Sequence, residues 1–296
     1  MRFRFPRRAG ALGIAGLSVL TLAAVPATAA PGQTLFDDFA YSSSSDSRLR
    51  QRGWEVRSGG GGPGVGSWDP GLITFSTLNG STVMQLGAAT NGTAGGTRQS
   101  QINTGRKFKD GTYAARVEFT DGPTSGPDGN HVVQTFYTIT PLRYAYDPDY
   151  GEQDFEYLPN GGWGEPSNTM FLTSWETYRA DPWDAVNVST ASRRSFAGWH
   201  NLVLQVMNGR MRYYIDGALV ADHGDQYYPE TPQLINFNQW FIDLTGASGS
   251  TARQYRQRVD YVYFARDEAL SPAQVDSRIG GLRSAGTTFT DNVSWP

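Results

Sequence analysis

The run EQDFEY (152–157) places an acid at every second position: Glu152, Asp154 and Glu156 alternate with Gln153, Phe155 and Tyr157. Successive side chains of an extended strand point to opposite faces. Read as a strand, the run shows three carboxylates on one side, with Gln153, Phe155 and Tyr157 on the other. It is therefore a half-buried strand that turns its acids away from a core.

The same two-residue period recurs on either side. Tyr113, Ala115, Val117 and Phe119 alternate with Ala114, Arg116 and Glu118. The segments NLVLQV (201–206) and MRYYIDG (211–217) predict a hairpin turning over Asn208-Gly209. Residues 259–264 (VDYVYF) read as another strand, and HVVQTFYTIT (131–140) as a neighbour of the acidic one. Loops fall at 58–67, 121–130 and 159–166. One helix is expected near the C-terminus, where Ser271 caps, Pro272 suits the first turn and Gln274 completes a capping box ahead of Val275 and Ile279. Strands every 8–15 residues without intervening helices predict an all-β sandwich of antiparallel sheets. No internal repeat or linker divides residues 31–296, which read as one domain with a tail at 267–296.

Residues 1–30 read as a secretory signal: Arg2, Arg4, Arg7 and Arg8 precede an apolar stretch (11–25), and Ala27-Thr28-Ala29 fits a cleavage site. The apolar stretch is too short for a good membrane span, so the mature chain is expected outside the cell and free of the membrane. The Arg7-Arg8 pair hints at twin-arginine export but does not separate that route from the general one. Without cysteine, disulfides and thiolate metal sites are excluded; a core of this size stands without them. The formal charge of −3 becomes about −7 once the four arginines leave, and no basic patch invites nucleic acid. The Asn-x-Ser/Thr triplets at Asn79, Asn91, Asn187 and Asn292 read as turn chemistry.

Three adjacent acids on one face repel each other, and no stability argument recommends them. Glycoside hydrolysis has a use for them, because one carboxyl must hold a proton while another stays ionised. Crowding drives such a split by raising the neighbours' pKa values. Calcium binding and a solvated acidic face are alternative readings of the same residues. Four strand residues span about 13 Å, so the stereochemical outcome does not follow from spacing.

EQDFEY resembles the E-x-D-x-E signature of glycoside hydrolase family 16, in the form without a bulge residue. The likeness extends in order through TGRKFKDGTYAARVEF (104–119), GWHNLVLQVMNGRMRYYIDGALV (198–220), PQLINFNQWF (232–241) and RVDYVYF (258–264). It implies a concanavalin A-like jelly roll with a concave cleft and a retaining, β-glucanase-type hydrolysis. Glu152 would be the nucleophile, Glu156 the general acid/base and Asp154 their assistant. Tyr150 would line the cleft where relatives carry tryptophan, Asn238 and Trp240 would contact sugar, and Asp260 would match an aspartate that holds a structural Ca²⁺. Catalysis itself would need no cofactor. The expected partner is a polysaccharide, a β-1,3- or mixed-linked β-1,3/1,4-glucan, cleaved internally by a monomer. A carbohydrate-binding lectin of the same fold, and an enzyme acting on a galactan or transferring glycosyl groups, are the rival readings. Departures fall where substrate is gripped: LRYAYDPDYG (142–151) lacks the usual tryptophan, residues 168–183 lack a Gln-x-Asn pattern, and Gln205-Val206 replaces Asp-Trp.

Eight tryptophans and fifteen tyrosines suit sugar faces but also fill β cores. Trp163, Trp175 and Trp183 fall in loop-like segments and serve either purpose, whereas Trp54 and Trp199 read as core. His131, His200 and His223 follow no metal-ligand spacing; His200 reads as structural and His131 as a candidate cleft residue. No G-x-S-x-G elbow or phosphate-binding glycine loop is present.

Overall fold

The computed structural model describes residues 32–246 and 249–295; the export signal read at 1–30 lies outside them. Two antiparallel sheets enclose the core. The first runs β2 (Trp54–Val56), β6 (Arg98–Thr104), β15 (Leu234–Phe241), β8 (Val132–Thr140), β9 (Gly151–Leu158), β10 (Thr169–Arg179) and β11 (Asp184–Arg193). The second runs β4 (Ile73–Leu78), β5 (Ser81–Thr90), β16 (Arg253–Arg266), β7 (Gly111–Phe119), β12 (Gly198–Met207), β13 (Arg210–Ile215) and β14 (Ala218–Gly224). Beyond β5, the edge of β16 is taken up by β1 (Thr34–Asp37), which also pairs with β17 (Phe289–Asp291). A single pairing, Ala89 with Arg98, and the short β3 (Ser67–Trp68) connect the sheets through β6. This is the antiparallel sandwich that the alternating pattern predicts, in the jelly-roll form that the resemblance implies.

Period-two patterning places the core. Tyr113, Ala115, Val117 and Phe119 of β7 all enter the cluster between the sheets. From β9, Phe155 and Tyr157 join them. Phe155 lies 5.9 Å from Phe136 of β8 and 5.3 Å from Tyr213 of the opposite sheet, and Phe136 lies 5.1 Å from Phe237 of β15. Each buried ring contributes roughly 1.5–3 kcal/mol through lost contact with water.

The β12–β13 hairpin turns over Asn208 and Gly209 at φ +55° and +72°. Both central residues of the tightest hairpin turn need positive φ, which Asn-Gly tolerates. A short helix, α1 (Ser47–Gln51), precedes β2, and α2 (Pro272–Ser284) follows the last long strand. Ser271 accepts from the Gln274 N–H and the Gln274 side chain accepts from the Ser271 N–H at 2.8 Å, closing the capping box. Val275 and Ile279 then pack on the outer face of the second sheet with Phe36, Val203 and Tyr261. Gln205, one of the departures, donates to Leu270 O at 2.7 Å and so ties that face to the segment entering α2.

Two readings of tryptophan are corrected here. Trp199 is not core: Leu202 and Leu204 of β12 point inward, while Trp199 lies half-buried on the outer face under Arg116. Trp175 is not in a loop but in β10, where Met170 and Leu172 face the core and the odd positions face outward.

Replacing Phe155 with Ala removes the ring that links β9 to Phe136 of β8 and to Tyr213 of the opposite sheet. A loss of about 3–5 kcal/mol is expected in denaturant unfolding; a loss under about 1 kcal/mol would show that β9 is not anchored by this stack.

Candidate active site

The open face of the first sheet is built around β9. In its register Glu152 lies between Ile139 and Trp175, Asp154 between Tyr137 and Thr173, and Glu156 between Thr135 and Phe171. Directly paired residues share a face, so these side chains form one floor. β15 extends it with Asn236, Asn238 and Trp240, paired with Tyr137, Thr135 and Val133.

The three acids have different partners. Glu152 accepts from the Tyr150 hydroxyl and from the Asp154 carboxyl. Asp154 is 3 % exposed and accepts from Trp175 Nε1 at 2.9 Å. Glu156 has no hydrogen-bond partner among the described residues, and it and Glu152 each keep an edge open to solvent. Burial raises all three pKa values, because desolvation penalises the charged form. Asp154 is pushed well above the carboxylate range by burial and then by the charges of Glu152 and Glu156, so it holds a proton to donate. Glu152 rises to about 7 by burial, opposed by its two donors. Glu156 rises to about 8, by burial and then by the charge of Glu152. The arrangement separates a carboxyl whose ionised form is supported from one whose ionised form is not.

Tyr150 does not line the cleft. It is 1 % exposed, packs edge-on to Tyr178 at 5.3 Å and reaches the site only through its hydroxyl. Asn238 is buried within the floor, accepting from Thr135 Oγ1 at 2.6 Å and donating to Tyr137 Oη at 3.0 Å. Trp240 is 8 % exposed and supports Trp163, whose ring is 52 % exposed and stands 5.8 Å away. At the Glu152 end a second aromatic group forms: Trp183, 64 % exposed, stands 6.1 Å from Trp175 and 5.4 Å from Tyr178. The acids thus lie between two aromatic patches. His131 sits on the same face beyond Val133, with Nδ1 3.0 Å from Asp243. An ionised carboxylate only accepts, so Nδ1 carries the hydrogen. His200 is held by Asp216 at 2.6 Å, as a structural residue would be.

Tyr137, Thr135 and the Trp175 donor were not singled out from the sequence. The alternation in TMFLTSW (169–175) is the signal that could have found Trp175.

The residues around Asp260 do not fit a calcium ion. Its carboxylate is 2 % exposed and bridged by Arg116 at 2.9 Å and by Arg283 at 2.8 and 3.2 Å. Calcium takes six to eight oxygen ligands, whereas here two guanidinium groups already occupy the Asp260 carboxylate. Among the described residues no cluster of three or more His, Asp or Glu could hold a metal.

No family model matches the sequence, and no curated protein matches it either. Solved structures do match, and what they share with this chain is the fold. A β-glucanase of Bacillus licheniformis shares 14% identity over 79% of this chain and 99% of its own, with a TM-score of 0.56. A prokaryotic β-1,3-1,4-glucanase (lichenase) derived from a mouse hindgut metagenome shares 18% over 79% and 99%, at 0.55. A LamA variant from Z. galactanivorans, in complex with laminaritriose and laminaritetraose, shares 14% over 80% and 100%, also at 0.55.

Two outcomes are expected. A carboxyl with a raised pKa keeps its proton in the fold while the unfolded chain loses it, so stability falls as pH rises from the ordinary Glu range to about 8. Glu156→Gln removes that loss, and its melting temperature should gain on the parent's progressively between pH 5 and pH 8; parallel curves would refute the raised pKa. At the far site, Arg283→Met should cost about 1–3 kcal/mol, while chelators leave the parent's melting temperature unchanged. A melting temperature that rises with added Ca²⁺ would restore the calcium reading.

Proposed function

We propose that this chain is a family 16-type glycoside hydrolase, exported by residues 1–30, that cleaves internal bonds of a β-glucan with retention of configuration. The observation that carries the reading is the unequal support of the two glutamates: Glu152 has two hydrogen-bond donors and Glu156 has none among the described residues.

In the first step Glu152, ionised, attacks the anomeric carbon while Glu156 passes its proton to the glycosidic oxygen. The carbon–oxygen bond breaks, its electron pair stays with the leaving sugar, and an ester to Glu152 forms. Ester formation removes the charge on Glu152, which is the second cause of the high pKa of Glu156. Glu156 is then left ionised without that repulsion and can take a proton from water. The hydroxide so formed attacks the anomeric carbon and releases Glu152. Asp154 keeps its proton throughout and steadies Glu152 both as carboxylate and as leaving group. Trp163 and Trp183 offer exposed rings on which pyranose faces can stack, one at each end of the acid row. The β-glucan assignment draws on the similar structures, a β-glucanase, a lichenase and a LamA variant in complex with laminaritriose and laminaritetraose.

A panel of β-1,3-, mixed-linked β-1,3/1,4- and galactan polysaccharides should release reducing ends from a β-glucan, with the β-anomer appearing first by NMR. Glu152→Gln and Glu156→Gln should each lower kcat by about 10²–10⁴-fold. The parent's kcat/KM should be bell-shaped around neutrality, and Glu156→Gln should lose the alkaline limb. Retention of glucan on affinity gels without reducing-end release would instead make the chain a lectin.

A further inference from the structure

Away from the acid floor, a cavity of about 340 Å³ opens between α1, the turn after β6 and the segment after β17. Its walls include Arg50, Arg52, Gly105, Lys107, Phe289 and Trp295. With Asp291, which also lines it, the cavity carries three cationic side chains against one acid, in a chain whose formal net charge is −3. Lys107 is already committed, bonding Asp291 at 2.7 and 2.8 Å and Val293 O at 3.0 Å. Among the described residues no acid forms a salt bridge with Arg50 or Arg52.

Arg52 is the more telling of the two. Its guanidinium lies 4.5 Å from the Phe289 ring centre and 5.2 Å from that of Tyr41, so aromatic rings hold it. Its Nη1 is shielded from solvent and has no hydrogen-bond partner. A buried donor left unmade costs the full desolvation penalty of the group, and a carboxylate is the acceptor that a guanidinium edge fits best.

The second component is aromatic. Trp295 is 65 % exposed, yet it is seated. A Cβ at Gly105 would meet the indole at 2.5 Å, so the ring rests against a position that only glycine leaves open. Ser294 before it is held by Arg266 at 2.8 and 2.9 Å and by Gln33 at 3.0 Å. A fixed, exposed indole beside arginines that no salt bridge neutralises, one with its Nη1 unbonded, is what a sugar ring bearing an acid group requires. The ring stacks on the indole while the acid meets the arginines.

We propose that this cavity is a second carbohydrate site, selective for an acidic saccharide whose carboxylate is bound by Arg50 and Arg52 and whose ring stacks on Trp295. The site does not depend on the reading of Glu152 and Glu156.

Calorimetric titration of the full chain with an oligogalacturonide, laminaritetraose and inorganic sulfate tests it. The oligogalacturonide should bind, weaken with added salt, and lose at least 10-fold in affinity in both Trp295→Ala and Arg50→Ala, with Glu152→Gln binding as the parent does. Arg52→Lys, which keeps the charge but loses the buried Nη1, should weaken binding as well; should that variant not fold, the other two still decide. No oligogalacturonide binding, or binding that survives both Trp295→Ala and Arg50→Ala, overturns the proposal. So does binding lost in Glu152→Gln, which would place the ligand on the acid floor. Sulfate competing as tightly as the saccharide would reduce the site to a simple anion pocket, and laminaritetraose binding equally at Trp295 would remove the acid requirement; either result also overturns it.

Discussion

Three carboxylates stand side by side on β9 because the other face of the same strand is locked into the core. Phe155 is in contact distance of rings from β8 and from the opposite sheet, and Tyr157 is fully buried beside it. A one-residue slip of β9 would bury Glu152, Asp154 and Glu156 between the sheets and turn Phe155 out to water. The repulsion among the acids is therefore not relieved by local rearrangement. It is held in place by packing on the far side of the strand, and it appears instead as raised pKa values.

That strain is distributed with some order. Tyr150 and Asp154 both direct hydrogens at Glu152, and Trp175 directs one at Asp154. Each donor comes from a residue that is itself fixed: Tyr150 by burial against Tyr178, and Trp175 by its place in β10 opposite Glu152. Glu156 lacks such support, and the difference between the two glutamates follows from the neighbours that the sheet register supplies. Asn238 contributes at one remove, through Thr135 and Tyr137, which flank Glu156 and Asp154.

The outer face of the second sheet meets its own charges differently. Asp260 is buried against α2 between two arginines, one from β7 and one from the last turn of the helix. A staple of this kind needs α2 in position. The capping box at Ser271, the burial of Val275 and Ile279, and the Gln205 bond to Leu270 O all serve to dock it.

Strand period, hairpin chemistry and the helix cap were legible in the sequence because each depends on neighbours two to four positions away. The alternation in EQDFEY put its acids on one face, Asn208-Gly209 set a turn that needs positive φ, and Ser271 with Gln274 marked a helix start. Roles that depend on distant partners were not legible. Tyr150 could be read as a cleft residue until its burial showed that only its hydroxyl reaches the site. Asp260 could be read as a metal ligand until α2, 23 residues away at Arg283, brought a second guanidinium to it. Trp175 lies 21 residues from Asp154, and only antiparallel pairing of β10 with β9 makes them partners. The chain alone determined which residue types face which way along each strand. Which of the three acids is supported, and by whom, was decided by sheet register, because hydrogen bonds and desolvation act through space and not along the chain.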